Sequence, residues 1–196
     1  FTKLLRFISR LDAIMSIVKA LRASAKNQAK YSIPKFLKPE DGKPYLFAKK
    51  FWHPTLDPRK VVTNDIELGK SNRCIILTGA NAGGKTTWMQ AVVLIAVLAQ
   101  TFGIVPASSA ALTPFKAIIS DTKSEGTIGA ESLYENEVRK LVDITQTIQN
   151  LKADGGKHVL IGIDEPLKGS NNDQTDVAAF DAFAKLGAYD NAIIIV

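Results

Sequence analysis

Leu4, Ile8, Leu11, Met15 and Val18 follow one another at helical steps, forming a single apolar stripe along the start of the chain. Phe7, Ile14 and Leu21 widen that stripe, which predicts an N-terminal helix that packs on more than one neighbour. No Gly or Pro interrupts the pattern before Ile33-Pro34; Pro39, Gly42 and Pro44 then predict a connector over 34–50. Phe51–Leu56 and Val61-Val62 read as short strands or extended segments. From Arg73 the pattern changes. Cys74–Leu77 is a short continuous apolar run, as in a parallel strand buried on both faces. A glycine-rich turn follows, then an apolar segment, Trp88–Phe102, too long for one strand and suited to a buried helix. Ala117–Ile119 predicts a strand, and Tyr134–Leu151 an amphipathic helix with Val138, Leu141, Val142, Ile144, Thr145 and Ile148 toward one side. Val159–Ile163 predicts a second fully apolar strand, Val177–Leu186 a helix and Ile193–Val196 a last strand. Strands alternating with helices imply a doubly wound α/β fold.

Composition narrows the class. With 196 residues, 46% hydrophobic and 22% charged, the chain has room for one large domain or two small ones, and it is neither disordered nor collagen-like. Its longest apolar run, Ala91–Ala99, is under half of the roughly 20 residues a bilayer crossing needs, so no membrane partner is expected. One cysteine and two histidines cannot build a disulfide framework or an ordinary structural zinc site. This points to a reducing compartment: the cytoplasm, or the nucleus in a eukaryote. Residues 1–60 hold 14 Lys/Arg against 4 Asp/Glu, whereas residues 61–196 hold 11 against 15. A basic first third suits a nucleic-acid backbone; a solvated helix face followed by a lysine-bearing linker explains it equally well. The chain opens without Met and ends on the apolar Ala192–Val196 with nothing after it to cover a strand, which suggests a piece of a longer polypeptide.

The chemistry concentrates in two places. Gly79-Ala80-Asn81-Ala82-Gly83-Gly84-Lys85-Thr86 fits the phosphate-loop pattern G-x-x-x-x-G-K-[ST] at every required position, between an apolar strand and a helix. Glycines let the backbone curl so that its N–H groups face phosphate oxygens. The helix that follows aims its positive end at the anion. Lys85 supplies a mobile charge for the β/γ-phosphates, and the Thr86 hydroxyl a ligand for Mg²⁺. The second place is Val159-Leu160-Ile161-Gly162-Ile163-Asp164-Glu165, an apolar strand ending in an acidic pair. Asp164 is placed to hold Mg²⁺ through water, and Glu165 to polarise an attacking water. A glycine turn with a solvated lysine, and a loop capped by two surface carboxylates, are the bland alternatives; the strand context of each argues against them.

Thr78-Gly79-Ala80-Asn81-Ala82-Gly83-Gly84-Lys85-Thr86-Thr87 resembles the phosphate loop of MutS-type DNA mismatch repair ATPases, T-G-P-N-x-x-G-K-[ST]-T. Other stretches match in the same order. Ile8–Ile14 is similar to the x-x-x-L-D-x-L at the end of the family's lever helices, Trp52–Leu56 to R-H-P-x-[LV], and Val61-Val62-Thr63-Asn64-Asp65 to F-[IV]-x-N-D. Gly103–Ala107 resembles the family stretch ending in V-P-A, and Asp164–Asn171 its D-E-x-x-[RK]-G-[TS]-[SN]. The resemblance implies a P-loop ATPase of ABC type, with a mixed or parallel sheet flanked by helices and an N-terminal helical segment in front. It implies the end of a helical lever at 1–33, a connector at 34–50 and an ATPase domain at 51–196. ATP and Mg²⁺ are the implied cofactors. Asn64, Gly79, Asn81, Gly83, Gly84, Lys85, Thr86 and Thr87 are the implied nucleotide contacts, Thr86 and Asp164 the metal residues, and Glu165 the catalytic one. The family works as a homodimer or heterodimer in which one subunit offers a serine to the other's γ-phosphate; Ser132, in Ser132–Glu137, matches it and is a sound helix N-cap with Glu135 as capping-box partner. DNA is gripped mainly by domains absent from this sequence.

The sequence also departs from the family. Ala130-Glu131 precedes Ser132 where the family has Gly and then a basic or neutral polar residue, which brings a carboxylate toward the γ-phosphate site. Val61 stands where an aromatic residue usually meets adenine, which predicts weaker base stacking. The family's switch histidine falls beyond Val196. Besides coupling nucleotide state to a mismatched-DNA clamp, the sequence therefore also fits a MutS-like, nucleotide-responsive interaction ATPase without mismatch recognition. A transporter cassette fits less well, because no L-S-G-G-Q signature is present. His53 and Trp52 read as a partly buried histidine and an anchoring tryptophan, and Cys74 as an inert core thiol.

Overall fold

The computed structural model describes residues 2–24, 29–80, 82–121, 133–164 and 184–196. Its elements are α1 (Thr2–Ser24), β1 (Lys35–Phe36), β2 (Leu46–Phe51), β3 (Asn64–Leu68), β4 (Cys74–Ile75), α2 (Lys85–Phe102), β5 (Ser109–Leu112), β6 (Ala117–Asp121), α3 (Leu133–Ala153), β7 (Val159–Ile163) and β8 (Ala192–Ile195). They form a mixed α/β fold with two four-stranded sheets. One is mixed, in the order β1-β5-β2-β3; the other is parallel, in the order β4-β8-β7-β6.

The parallel sheet follows from its sequence. All five residues of β7 and all four of β8 are buried, as strands covered on both faces must be. Alternate side chains serve opposite faces. Leu160, Ile193 and Ile195 join a core with Met89, Val92, Ile95 and Ala96 of α2 and with Leu46, Ile66, Leu68 and Leu112 of the mixed sheet. Val159, Ile161, Ile163, Ala192 and Ile194 face the other way, onto Ile144 and Ile148 of α3. Helix α2 is apolar nearly all round because it shares a core with both sheets.

Three expectations need correction. The stretch read as a connector carries β1 and β2, both part of the mixed sheet. Of Phe51–Leu56 only Phe51 is in a strand. Turns occupy most of 54–60, where Pro54 and Pro58 fix φ and remove ladder donors, and where Asp57 accepts from the Arg59 backbone and guanidinium. The strand expected at Val61-Val62 begins instead at Asn64. Of the helix expected over Val177–Leu186, residues 177–183 lie outside the described residues, and 184–187 are helical. The N-terminal helix is present, but its apolar stripe is largely exposed: Leu4, Ile8, Leu11, Met15 and Val18 range from 39% to 59% accessible. No helix among the described residues is long and apolar enough to cross a membrane.

Candidate functional site

The site grows from the turn between β4 and α2. Gly79 (φ 153°), Ala82 (φ 62°) and Gly84 (φ 87°) all have positive φ, a conformation that turns backbone N–H groups to the inside of the loop. Gly84 is the N-cap of α2, left-handed and without a side-chain cap, so the first amides of that helix keep no internal partner. At Gly83 a Cβ would stand 2.9 Å from the Ala80 carbonyl, which the tight Gly83 N–H to Ala80 bond (3.1 Å) forbids. Lys85 lies over this loop. Its Nζ donates to the carbonyls of Gly79 (2.7 Å) and Ala80 (3.0 Å), which keeps an ammonium at the mouth of the turn.

The parallel sheet brings the second half. Asp164 follows β7, and its Oδ2 accepts a 2.7 Å hydrogen bond from Thr86 Oγ1, 78 residues away in sequence. Helix α2 comes close enough for this because β7 carries Gly162. A Cβ there would meet Val93 Cγ2 at 3.0 Å and Met89 Cγ at 3.2 Å. The neighbouring strand also ends in an acid. Asp121 pairs in register with Ile163, its carbonyl accepts from the Asp164 N–H at 3.0 Å, and its carboxylate takes Lys140 Nζ of α3 at 2.9 and 3.0 Å.

A cleft of about 710 Å³ runs from the loop toward the mixed sheet. Gly83, Gly84, Lys85 and Thr87 line one end; His53, Leu56, Val61, Val62 and Asn64 line the other. Phe51, Trp52 and Trp88 also line it, Trp88 edge-on to Phe51 with ring centroids 5.5 Å apart. Trp52 is buried, donates from Nε1 to the Lys30 carbonyl at 3.0 Å and meets Tyr31 edge-on. His53 Nδ1 lies 2.8 Å from the Thr55 hydroxyl, and burial pushes the ring's pKa below its ordinary value. Lys85 also borders a smaller cavity of about 200 Å³ that reaches Asp164, so its side chain stands between the two spaces.

A magnesium ion fits the donor chemistry here, since a hydroxyl and a carboxylate within 2.7 Å are the hard oxygens it takes. Among the described residues no group of three or more His, Cys, Asp or Glu side chains could hold a metal ion. Of the residues expected from sequence, Gly83, Gly84, Lys85, Thr87 and Asn64 gather on the cleft, Gly79 is tied to Lys85, and Thr86 and Asp164 are paired. Asn81, Ser132 and Glu165 lie outside the described residues. Sequence reasoning missed Trp88, Leu56 and Val62 as cleft walls, and it missed Asp121. The signal for Asp121 was present, because it too is an acid closing an apolar strand. Cys74 is half-buried and its thiol pKa is raised by that burial, as befits an unreactive core group.

Residues 75–191 match the family model for MutS domain V. Among curated relatives, endonuclease MutS2 of Thermomicrobium roseum is 32% identical over 173 residues, covering 80% of this chain and 21% of the relative. Endonuclease MutS2 of Staphylococcus saprophyticus is 32% identical over 172 residues (86% and 20%), and that of Lactiplantibacillus plantarum 27% over 150 (76% and 18%). The chain thus spans about a fifth of the length of the curated relatives it matches.

Proposed function

Because the chain belongs to the MutS family, we propose that it is an ATP-binding and ATP-hydrolysing domain of the P-loop ABC type, working in a dimer and coupling its nucleotide state to events on DNA. The observation that carries this reading is the Thr86–Asp164 hydrogen bond beside a cleft that Lys85 borders, with Leu56, Val61 and Val62 among the residues at its far end. A triphosphate lies along that cleft. Loop amides around 82–86 receive its phosphates, and Lys85 exchanges its two carbonyl partners for β/γ oxygens. Leu56, Val61 and Val62 receive the base. Thr86 and Asp164 hold magnesium, which neutralises charge on the phosphate oxygens. Glu165 orients the attacking water and accepts its proton as the water oxygen bonds to the γ-phosphorus and the bridging P–O bond to the β-phosphate breaks, with ADP as the leaving group. Ser132 meets the γ-phosphate bound by the partner subunit. The 1–33 segment serves as the end of a lever toward DNA-gripping parts outside this sequence.

The relatives' name, endonuclease MutS2, favours a DNA transaction without mismatch recognition over a mismatch clamp. The chain's two tryptophans, Trp52 and Trp88, both line the cleft, so intrinsic fluorescence reports its occupancy. A saturable change on adding Mg·ATP supports the proposal; a flat titration, matched by no retention of labelled ATP in equilibrium dialysis, overturns it. In the full chain, equal affinity for paired and mismatched duplexes supports the second half, whereas preference for a mismatch restores the clamp reading.

A further inference from the structure

We propose that the ion pair between Asp121 and Lys140 is a latch holding the front of helix α3 against the metal edge of the parallel sheet, and that loading of that edge loosens it. The latch rests on the nucleotide reading above. Two observations converge on it. The Asp121 carboxylate takes both of its 2.9 and 3.0 Å contacts from one lysine of α3, while the Asp121 carbonyl holds the amide of Asp164. A single residue therefore touches α3 on one side and the acid paired with Thr86 on the other. Helix α3 begins at Leu133, immediately after Ser132, and Lys140 lies about two turns in. Behind Lys140 the helix is fixed by apolar packing, with Leu141, Ile144 and Ile148 in the core beneath β7 and β8. On its outer face Val138 and Val142 are exposed.

Electrostatics gives the latch its direction. Magnesium at Thr86 and Asp164 comes with a triphosphate whose negative charge exceeds its own, so the loaded edge is net negative: it repels the neighbouring Asp121 carboxylate and draws the Lys140 ammonium away from it. The pair is strained from both ends, and the front of α3 is freed to move. Both side chains are partly open to solvent, 40% for Lys140 and 29% for Asp121, so the pair adds little to global stability and its removal leaves the fold intact.

Hydrogen exchange over residues 133–143 of the full chain, read beside tryptophan fluorescence, tests the idea. In the wild type, Mg·ATP raises exchange in this segment about threefold or more. Lys140→Met and Asp121→Asn each show the faster exchange without nucleotide, and the double variant is no faster than either single one. Lys140→Arg restores protection, because its fork also reaches both carboxylate oxygens. By linkage, Lys140→Met binds Mg·ATP up to about threefold more tightly than wild type, since no latch then opposes loading, and Lys140→Arg keeps the wild-type affinity. If the wild type binds Mg·ATP and its segment does not respond, or the variants leave exchange unchanged, the latch is wrong and the nucleotide site stands. If the wild type gives no fluorescence change and retains no labelled ATP in dialysis, the nucleotide reading falls and the latch falls with it.

Discussion

The two ends of the cleft are built by opposite means. At the phosphate end, one contiguous run, 79–86, sets the geometry through its backbone: three positive-φ residues, an uncapped helix start and a lysine bonded to its own loop, with Asp164 added from β7. At the end proposed for the base, His53, Leu56, Val61 and Val62 come from the turn-rich stretch between β2 and β3 and Asn64 from the start of β3, and they contribute side chains on an open surface; Val62 is 79% exposed. Backbone amides and a fixed charge admit few replacements, whereas an aliphatic wall of loose fit can be altered in either direction. The phosphate end should therefore account for whether ATP binds, and the base end for how selectively.

The hardest test of that division is Lys85→Ala. It removes the only phosphate-end side chain that bonds to the loop carbonyls of both Gly79 and Ala80 among the described residues. Loss of its charge-assisted bonds to phosphate costs about 2–4 kcal/mol, a Kd roughly 30- to 1,000-fold weaker, with turnover lost alongside. Equilibrium dialysis with labelled ATP measures it. Under the role proposed for Glu165, Glu165→Gln separates binding from chemistry. Affinity is expected to hold while single-turnover hydrolysis drops on the order of 100- to 1,000-fold. Normal turnover in this variant would transfer the water-activating role to another residue.

How much of this the sequence disclosed follows the same division. The loop was legible because its chemistry is local: glycines, lysine and threonine at fixed offsets dictate a turn whatever surrounds it. Asp164 was legible because it closes an apolar strand that could only be central. At the base end Val61 and Asn64 were legible only through the family resemblance, and the rest was not, since Pro54, Pro58 and the Asp57–Arg59 pair fold 53–60 into turns that no periodicity announces. The mixed sheet was hidden for another reason. Its β2 pairs with β5, more than fifty residues later, and its β1 is two residues long, so neither carries a pattern of its own. The Asp121–Lys140 contact joins a strand end to a helix across residues 122–132, and nothing in the spacing marks it.

Gly162→Ala asks whether the fold beneath the phosphate end is as strict as the loop. The added methyl meets Val93 at 3.0 Å and Met89 at 3.2 and 3.3 Å, on the helix that carries Thr86. Denaturant melts are expected to lose about 1–3 kcal/mol through overpacking. The Mg²⁺ concentration needed for half-maximal ATP binding should rise as Thr86 is moved off Asp164. An unaltered metal requirement in a destabilised protein would mean that the helix yields without disturbing the pair. At the base end, Val61→Phe should run the other way. An aromatic face against the base adds about 0.5–1.5 kcal/mol, a Kd roughly 2- to 10-fold tighter for ATP, with ADP gaining equally. A loss of affinity would show that the wall is closely fitted rather than loose.

His53 gives the smallest and most local test. The Thr55 hydroxyl and amide both approach Nδ1, so this nitrogen is the acceptor and the proton of the neutral ring sits on Nε2. Burial holds the ring's pKa in the folded chain below the ordinary value of about 6.5. Between those two values the unfolded chain binds more protons than the folded one, so stability rises with pH across that window. The contribution is complete above about 6.5 and is lost as pH falls through the folded value. Protonation also puts a positive charge on the base end and removes the acceptor for Thr55, which loosens the turn behind Val61. Denaturant melts from pH 5 to 8 should show this slope, and His53→Gln should flatten it without altering the phosphate end. If the slope survived in that variant, the titrating group would lie elsewhere, and the base end would lose its one pH-sensitive contact.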